Sequence, residues 1–348
     1  MPLPTRLADL VQASAAVAQT ASRLAKRETI AAVLRTAAAD EIAIAVAFLS
    51  GEMRTGRLGV GFASLGELRA VAAAAEASLT LGEVDTALAQ IEVTRGKGSA
   101  AQRAEQLGRL FARATRAEQD FLVRLLAGEL RQGALEGVMI EAVAAAAAVG
   151  EADVRRAAMF AGDLGAVARV ALTQGAPGLA RFSISVGRPL QPMLAQSARD
   201  MAEALGRLGT AALEWKLDGA RVQVHKAGDS VRVFTRRLNE VTGAVPELVE
   251  AVRPLAPREL ILDGEAIAIA PGGAPQPFQV TMRRFGRKLD VDTMRSELPL
   301  TAFFFDCLQC DGEVQVDRPA RERFATLGQA VPARLIVPRL VTSEPAAA

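Results

Sequence analysis

The sequence predicts a multi-domain chain, an all-α half followed by an α+β half built on antiparallel strands. Three observations lead there. The 348 residues, half of them hydrophobic, exceed what a single core of about 250 to 300 residues absorbs. Apolar residues recur three and four apart up to about residue 172. Beyond Pro192, short β-branched, leucine and aromatic runs alternate with turn residues.

In the first half, stretches mixing alanine, leucine and charge are broken at Gly51, Gly96, Gly133 and Gly150, which sets the ends of successive helices. The alanine run after Glu141 reads as a buried helix. Over residues 1–175, 19 basic side chains balance 19 acidic ones, so contact with nucleic acid has to be focused in a few places. Three connecting segments mix glycine with a cation: 51–57 with Arg54, 94–99 with Lys97, and 131–134 with Arg131. There, backbone N–H groups and a charged side chain can approach a phosphate together, although such turns are also common solvated connectors.

Residues 176–188 carry Pro177, Gly178 and Gly187 ahead of Pro189 and Pro192, and read as a linker between domains at 1–175 and 189–348. Strands are expected at 213–217, 222–224, 231–234, 260–269 and 300–307, parted by turns such as 226–230 and 271–273.

Composition excludes several classes. A formal charge of +2 rules out a histone-like coat. The longest apolar run, 142–149, is far short of the roughly 20 residues that span a bilayer, and no charged-then-apolar leader opens the chain, so a soluble cytoplasmic protein is expected. Cys307 and Cys310 form a C-x-x-C, but with one histidine in the chain no second ligand pair completes a zinc site. They read as half-buried thiols on opposite faces of a strand, in a reducing compartment.

The most informative stretch is Glu214-Trp215-Lys216-Leu217-Asp218-Gly219-Ala220-Arg221. On a strand, Glu214 and Lys216 share one face, and Asp218-Gly219 turns the chain so that Arg221 returns towards the lysine. A lysine titrates near 10.4, so a nucleophilic role at neutral pH requires it to lose its proton, which partial burial and a neighbouring cation promote. Further on, Glu265 is expected at a strand entry after an Asp-Gly turn, with Ile267 and Ile269 on its face; a carboxylate there is costly without a partner, which a ribose or metal ion would supply. Phe305 faces opposite to Phe304 and Asp306, so one phenylalanine packs in the core while the other lines a cleft. His225 is given no role.

Lys216-x-Asp218-Gly219-x-Arg221 resembles the first motif of the covalent nucleotidyltransferases: DNA ligases, RNA ligases and mRNA capping enzymes. Phe234-Thr235-Arg236, Leu262-Asp263-Gly264-Glu265 and Phe303-Phe304-Phe305-Asp306 resemble later motifs in the same order. The resemblance implies an ATP-grasp-like, antiparallel-sheet nucleotidyltransferase domain. In it Lys216 attacks the α-phosphate and carries AMP as a phosphoramidate. Glu214, Arg221, Arg236, Glu265 and Phe305 form the ATP-binding set, with Arg236 on the sugar and phosphate, Glu265 on the ribose or a metal-bound water, and Phe305 stacked on the purine. ATP and Mg2+ are the implied cofactors, with Glu265 the implied metal ligand.

The long helical half separates the family members, because capping enzymes and small RNA ligases usually begin near the lysine motif. Segments 49–52, 59–61, 94–99 and 128–137 resemble the DNA-binding domain of larger ATP-dependent DNA ligases, most closely the actinobacterial, archaeal-like ones. The implied partner is nicked double-stranded DNA, gripped through Arg54, Lys97 and Arg131, and the implied setting is the bacterial nucleoid. The chain departs from the family after Asp306: the glutamate-glycine motif, the Lys-x-Lys motif and the OB-fold domain are not found. The adenylation domain is therefore expected to be incomplete and C-terminally truncated and nick sealing impaired, with a non-catalytic nicked-DNA-binding fragment as the alternative.

Overall fold

In the computed structural model, residues 4–55, 58, 66–130, 136–193, 195–270, 272–285 and 291–347 are described. The chain divides into two compact units, Met1–Ser183 and Ile184–Ala348.

The first unit is helical: α1 (Leu7–Gln19), α2 (Arg23–Thr36), α3 (Ile42–Leu49), α4 (Leu81–Val93), α5 (Ser99–Ala112), α6 (Arg116–Ala127), α7 (Glu136–Ala147), α8 (Glu151–Ala161) and α9 (Leu164–Leu179). Local sequence sets several ends. Thr80 with Glu83 and Thr115 with Glu118 form reciprocal capping boxes that open α4 and α6. Gly128 and Gly162, both left-handed, close α6 and α8. α7 carries the alanine run, buries Val138, Met139, Ile140, Ala142 and Val143, and packs on α2, α8 and α9, as a helix apolar on most sides must. α9 continues through Pro177 to Leu179 with a kink at Gly175 (φ 62°). At Gly165 a Cβ would lie 3.1 Å from the Ala43 carbonyl, so α9 and α3 meet where glycine leaves room. Phe48, Phe111, Phe121 and Phe160 anchor the core.

The second unit contains α10 (Met201–Leu208), β1 (Ala211–Glu214), β2 (Ala220–Ala227), β3 (Ser230–Thr235), α11 (Pro246–Val252), β4 (Glu259–Ala268), α12 (Phe278–Phe285), α13 (Val291–Glu297), β5 (Leu300–Cys310), β6 (Glu313–Val314), α14 (Ala320–Ala330) and β7 (Arg339–Thr342). Strands β3-β2-β4-β5-β6 form one antiparallel sheet, and β1 pairs antiparallel with β7 in a separate two-stranded ribbon. Val222, Val224, Val233, Leu262, Phe304 and Leu327 form the centre of its core, with α11 and α14 packed on β5.

Two local expectations are corrected. Residues 215–218 are not strand: β1 ends at Glu214, so strand alternation does not place Glu214 and Lys216 on one face. Asp263-Gly264 is not a turn before Glu265. It lies inside β4, with a register shift against β5 at that point, because the glycine lets β5 approach: a Cβ on Gly264 would be 2.8 Å from the Phe303 carbonyl.

The polar side of β2 is as well organised as its apolar side. Gln223 exchanges hydrogen bonds with the Leu190 backbone, its Oε1 accepting from Leu190 N–H at 2.8 Å. His225 Nδ1 accepts from Gly187 N–H at 2.9 Å while Nε2 lies 2.9 Å from Gln223 Oε1, which fixes a neutral ring protonated on Nε2. The lone histidine is thus a satisfied buried residue that ties residues 187–190 to the sheet. Burial, with Arg232 nearby, pushes its pKa down to about 3.

Cys307 is buried and Cys310 half-buried, both free, and burial pushes the Cys307 thiol up to about 12. Among the described residues no group of three or more His, Cys, Asp or Glu side chains is placed to hold a metal, and no helix is long and apolar enough to cross a membrane.

Candidate active site

The strand register assembles the candidate site from distant sequence. Arg221 on β2 lies opposite Glu265 on β4, which lies opposite Phe303 on β5; Asp263 lies opposite Asp306. Side chains two residues apart on one strand share a face, so Glu265 and Asp263 both face the same cleft as Arg221.

Arg221 binds Asp263 through both carboxylate oxygens, Nε to Oδ1 at 3.0 Å and Nη2 to Oδ2 at 2.6 Å. Burial raises the Asp263 carboxyl, and the two Arg221 bonds oppose that rise. On Arg221 burial disfavours the charge, but the Asp263 bonds outweigh it and hold its pKa above the ordinary arginine value. The guanidinium carbon sits 5.5 Å from the centre of the Phe305 ring. Phe304 is wholly buried in the core and Phe305 is not, as expected; Asp306 does not share the face of Phe304, because the register shift at Phe305 sets it opposite Asp263.

Asp306, beside Asp263, has its own bidentate partner in Arg323, at 2.8 and 2.9 Å. Two adjacent buried carboxylates each need a counter-charge, since like charges so placed cannot both remain ionised unaided. This leaves Glu265 as the carboxylate of the group with no ion pair within 4.0 Å among the described residues. Desolvation raises its pKa, against a hydrogen bond from Gly219 N–H and the charges of Lys216 and Arg221.

Lys216 stands in the irregular segment between β1 and β2. It is exposed, with Nζ 3.4 Å from the Leu217 carbonyl, so the partial burial expected for it is not present. Gly219 docks that segment on β4. A Cβ there would lie 2.4 Å from the Ala266 carbonyl and 2.8 Å from Ile267 Cγ1, so only glycine permits the approach that delivers its N–H to Glu265.

Glu214, at the end of β1, is bound by Arg339 on β7, whose Nε lies 2.8 Å from Glu214 Oε1. Arg236 is the candidate that the fold does not bring in. It occupies an exposed turn after β3 rather than a strand face shared with Arg232 and Phe234, and makes no hydrogen bond or ion pair with the other candidates among the described residues. Arg232 instead lies over Phe234 and pairs with Glu240 at 2.5 Å.

Asp263, Asp306, Arg323 and Arg339 were not among the expected site residues. For Asp263 and Asp306 a signal existed: an acid inside a run of strand residues is costly unless paired. Arg323 and Arg339 gave none, since an arginine on a helix or near a chain end is ordinarily solvated.

In the helical unit, Arg54 is engaged by Asp85 at 2.8 Å, while burial raises the Asp85 carboxyl and Arg54 opposes the rise. Lys97 is exposed between Gly96 (φ 96°) and Gly98 (φ 83°), directly before α5, whose first turn has no side-chain cap. Arg131, with Gly133, Arg57 and the 59–61 segment, lies outside the described residues.

Two family models match the chain: "ATP dependent DNA ligase domain" over residues 192–344 and "DNA ligase N terminus" over residues 67–144. A probable DNA ligase of Anaeromyxobacter sp. (strain Fw109-5) is 56% identical over 344 residues, covering 99% of this chain and 66% of that protein. One of Anaeromyxobacter dehalogenans (strain 2CP-C) is 54% identical, covering 98% and 67%, and one of Mycolicibacterium gilvum is 53% identical, covering 98% and 66%. The chain spans about two thirds of the length of these relatives.

Proposed function

The chain belongs to the ATP-dependent DNA ligase family, and from that premise we propose that Lys216 takes AMP from ATP and that the AMP is passed to the 5′-phosphate of a nick in duplex DNA. The observation that carries this reading is the gathering of Arg221, Glu265 and Phe305 beside Lys216, around a charge network too costly to keep for packing alone.

In the first step the Lys216 amine forms an N–P bond to the α-phosphorus while the bond from that phosphorus to the pyrophosphate oxygen breaks, and the amine loses a proton. A 5′-phosphate oxygen then takes the phosphorus and frees the lysine. Finally a 3′-hydroxyl attacks the activated 5′-phosphate and AMP leaves. Catalysis of such transfers rests on positioning and charge rather than on acid-base work.

Each residue has a fitting task. The half-buried Phe305 ring carries the Arg221 guanidinium over it, 5.5 Å from its centre, and offers its other face to a purine. Arg221 is held rigidly by Asp263, so it meets a phosphate or ribose without first losing side-chain freedom. Glu265 is available to ribose hydroxyls. It also fits as one ligand of Mg2+, an ion that is usually held by one or two carboxylates together with waters and substrate phosphates. Bound there, the ion would neutralise phosphate oxygens. Arg236 in its exposed turn is a candidate for contacting the distal part of ATP.

Lys97 and its two glycines, Arg54 once released from Asp85, and Arg131 are the proposed phosphate contacts of the helical unit. Sequence-independent binding of this kind suits an enzyme that joins breaks left by replication, repair or recombination.

The test is incubation of the purified chain with Mg2+ and α-labelled ATP beside Lys216→Ala, followed by denaturing electrophoresis. Label that stays on the wild-type chain and is missing from the variant is the expected result. Equal labelling of both would overturn Lys216 as the acceptor; no label, with nicked DNA still bound in preference to intact duplex, would leave a binding fragment.

A further inference from the structure

We infer that Arg339 is a positioning residue that fixes the spacing between the Lys216 segment and the Phe305 stacking face, and so sets the affinity of the site for ATP. The inference rests on the adenylation reading of that site.

Four observations carry it. Arg339 Nε donates to Glu214 Oε1 at 2.8 Å, and its Nη2 donates to the same oxygen. Glu214 is only two residues before Lys216, at the last ordered strand position ahead of the irregular segment. The same Nη2 donates to the Phe305 main-chain carbonyl at 3.1 Å. Finally, the guanidinium carbon lies 3.3 Å from the centre of the Phe324 ring on α14, and the Arg339 side chain is 13% exposed. The Val337 N–H already donates to the Phe304 carbonyl at 3.0 Å and α14 packs on β5, so β5 is tied to α14 and to the segment before β7; among the described residues β1 pairs only with β7, and the Arg339 side chain is what adds a direct link from β1 to this junction.

Chemistry favours arginine here. The planar fork donates to two acceptors in different strands while its face stacks on a ring, and lysine, a point charge on a flexible stem, does neither. A surface ion pair alone contributes little. This one is partly buried and shares its donor with a backbone carbonyl, so its removal leaves the Phe305 carbonyl without that donor and Glu214 without a counter-charge. The β1–β7 ladder then holds β1 by its main chain alone, Glu214 loses its side-chain anchor, and Lys216 its fixed distance from Phe305. Stacking and nucleophilic attack must act on one nucleotide, so loosening that distance lowers ATP affinity more than it lowers fold stability.

Two readouts on Arg339→Met and Arg339→Lys test this. The first is hydrogen exchange without nucleotide: residues 211–214 and 339–342 should exchange faster in Arg339→Met, with 220–227 and 259–268 unchanged. The second is an ATP titration followed by the fluorescence of Trp215, the sole tryptophan and the neighbour of Lys216, and by lysyl label. Arg339→Met should raise the ATP concentration for half-maximal response about tenfold, a loss of uniform binding, with a smaller change in the labelling rate at saturation. Arg339→Lys should recover little of it. Unchanged exchange and an unchanged ATP titration in a folded Arg339→Met would overturn the inference while leaving the site reading intact. A wild-type chain with neither fluorescence response nor label would remove the site reading and this inference with it. A fall in unfolding temperature with unaltered ATP response in the folded fraction would also overturn it, as a purely structural role.

Discussion

The candidate sites of the two units handle charge in opposite ways. In the α+β unit, Arg221, Arg323 and Arg339 are each committed to a carboxylate, with side chains 23% exposed or less, and Asp263 and Asp306 stand side by side only because each has its own arginine. In the helical unit Lys97 is exposed on a glycine turn, and the Arg54 to Asp85 pair leaves Arg54 47% exposed. The proposed ligands account for the difference. A nucleotide of defined shape rewards fixed donors, because their ordering cost is met on folding; a DNA backbone offers repeating phosphates and tolerates mobile cations.

The sharpest way to break the comparison is to unpair a committed arginine. Asp263→Ala leaves Arg221 largely buried without its partner and should cost about 3 kcal/mol of unfolding free energy, measured by urea denaturation. A cost below about 1 kcal/mol, typical of exposed pairs, would mean that the network is no more committed than the surface ones.

Gly219→Ala should cost about 1–3 kcal/mol, since the new methyl would meet the Ala266 carbonyl and must push the Lys216 segment off β4. Lysyl label should fall more than stability does, and equal falls would argue that the docking of this segment does not matter to the chemistry.

His225 gives a graded test. Its pKa is depressed on folding, from 6.5 to about 3, so the unfolded chain takes up the proton first. The associated stability is complete above pH 6.5 and is lost progressively as pH falls towards 3. His225→Gln should show a shallower decline in melting temperature between those limits than the wild type, and an equal decline would assign the acid sensitivity to other groups.

The smallest stability effects belong to the helical unit. Lys97→Ala should change unfolding free energy by less than about 0.5 kcal/mol yet lower the salt dependence of nicked-DNA binding by about one phosphate contact. Arg54→Ala should cost about 0–1 kcal/mol, as an exposed pair does. If either variant unfolds the protein, the contrast between fixed and mobile cations fails.

Much of this was legible in the chain itself. The helical half and its breaks at Gly51, Gly96 and Gly150 followed from periodicity, and the core strands from β-branched runs. The separation of Phe304 from Phe305 followed from strand alternation, but the place of Asp306 did not, because the register shifts at Phe305. Local rules failed where backbone contacts between strands decided. Asp263-Gly264 looks like a turn, yet the glycine lies mid-strand because β5 needs its missing Cβ. The Lys216 segment looks like strand from its leucines and tryptophan, but β1 stops at Glu214 and Trp215 is 74% exposed.

By itself the sequence determined which residue types are available for the proposed chemistry: one lysine before an Asp-Gly, an arginine after it, and an acid and a phenylalanine on later strands. Those identities are local, and motif order carries them. Only the tertiary structure decided the partners, Asp263 for Arg221, Arg323 for Asp306 and Arg339 for Glu214, and left Arg236 outside in a turn. The reason is that partner choice depends on strand register and on which ends of the sheet meet. Glu214 and Arg339, 125 residues apart, meet only because β1 pairs with β7.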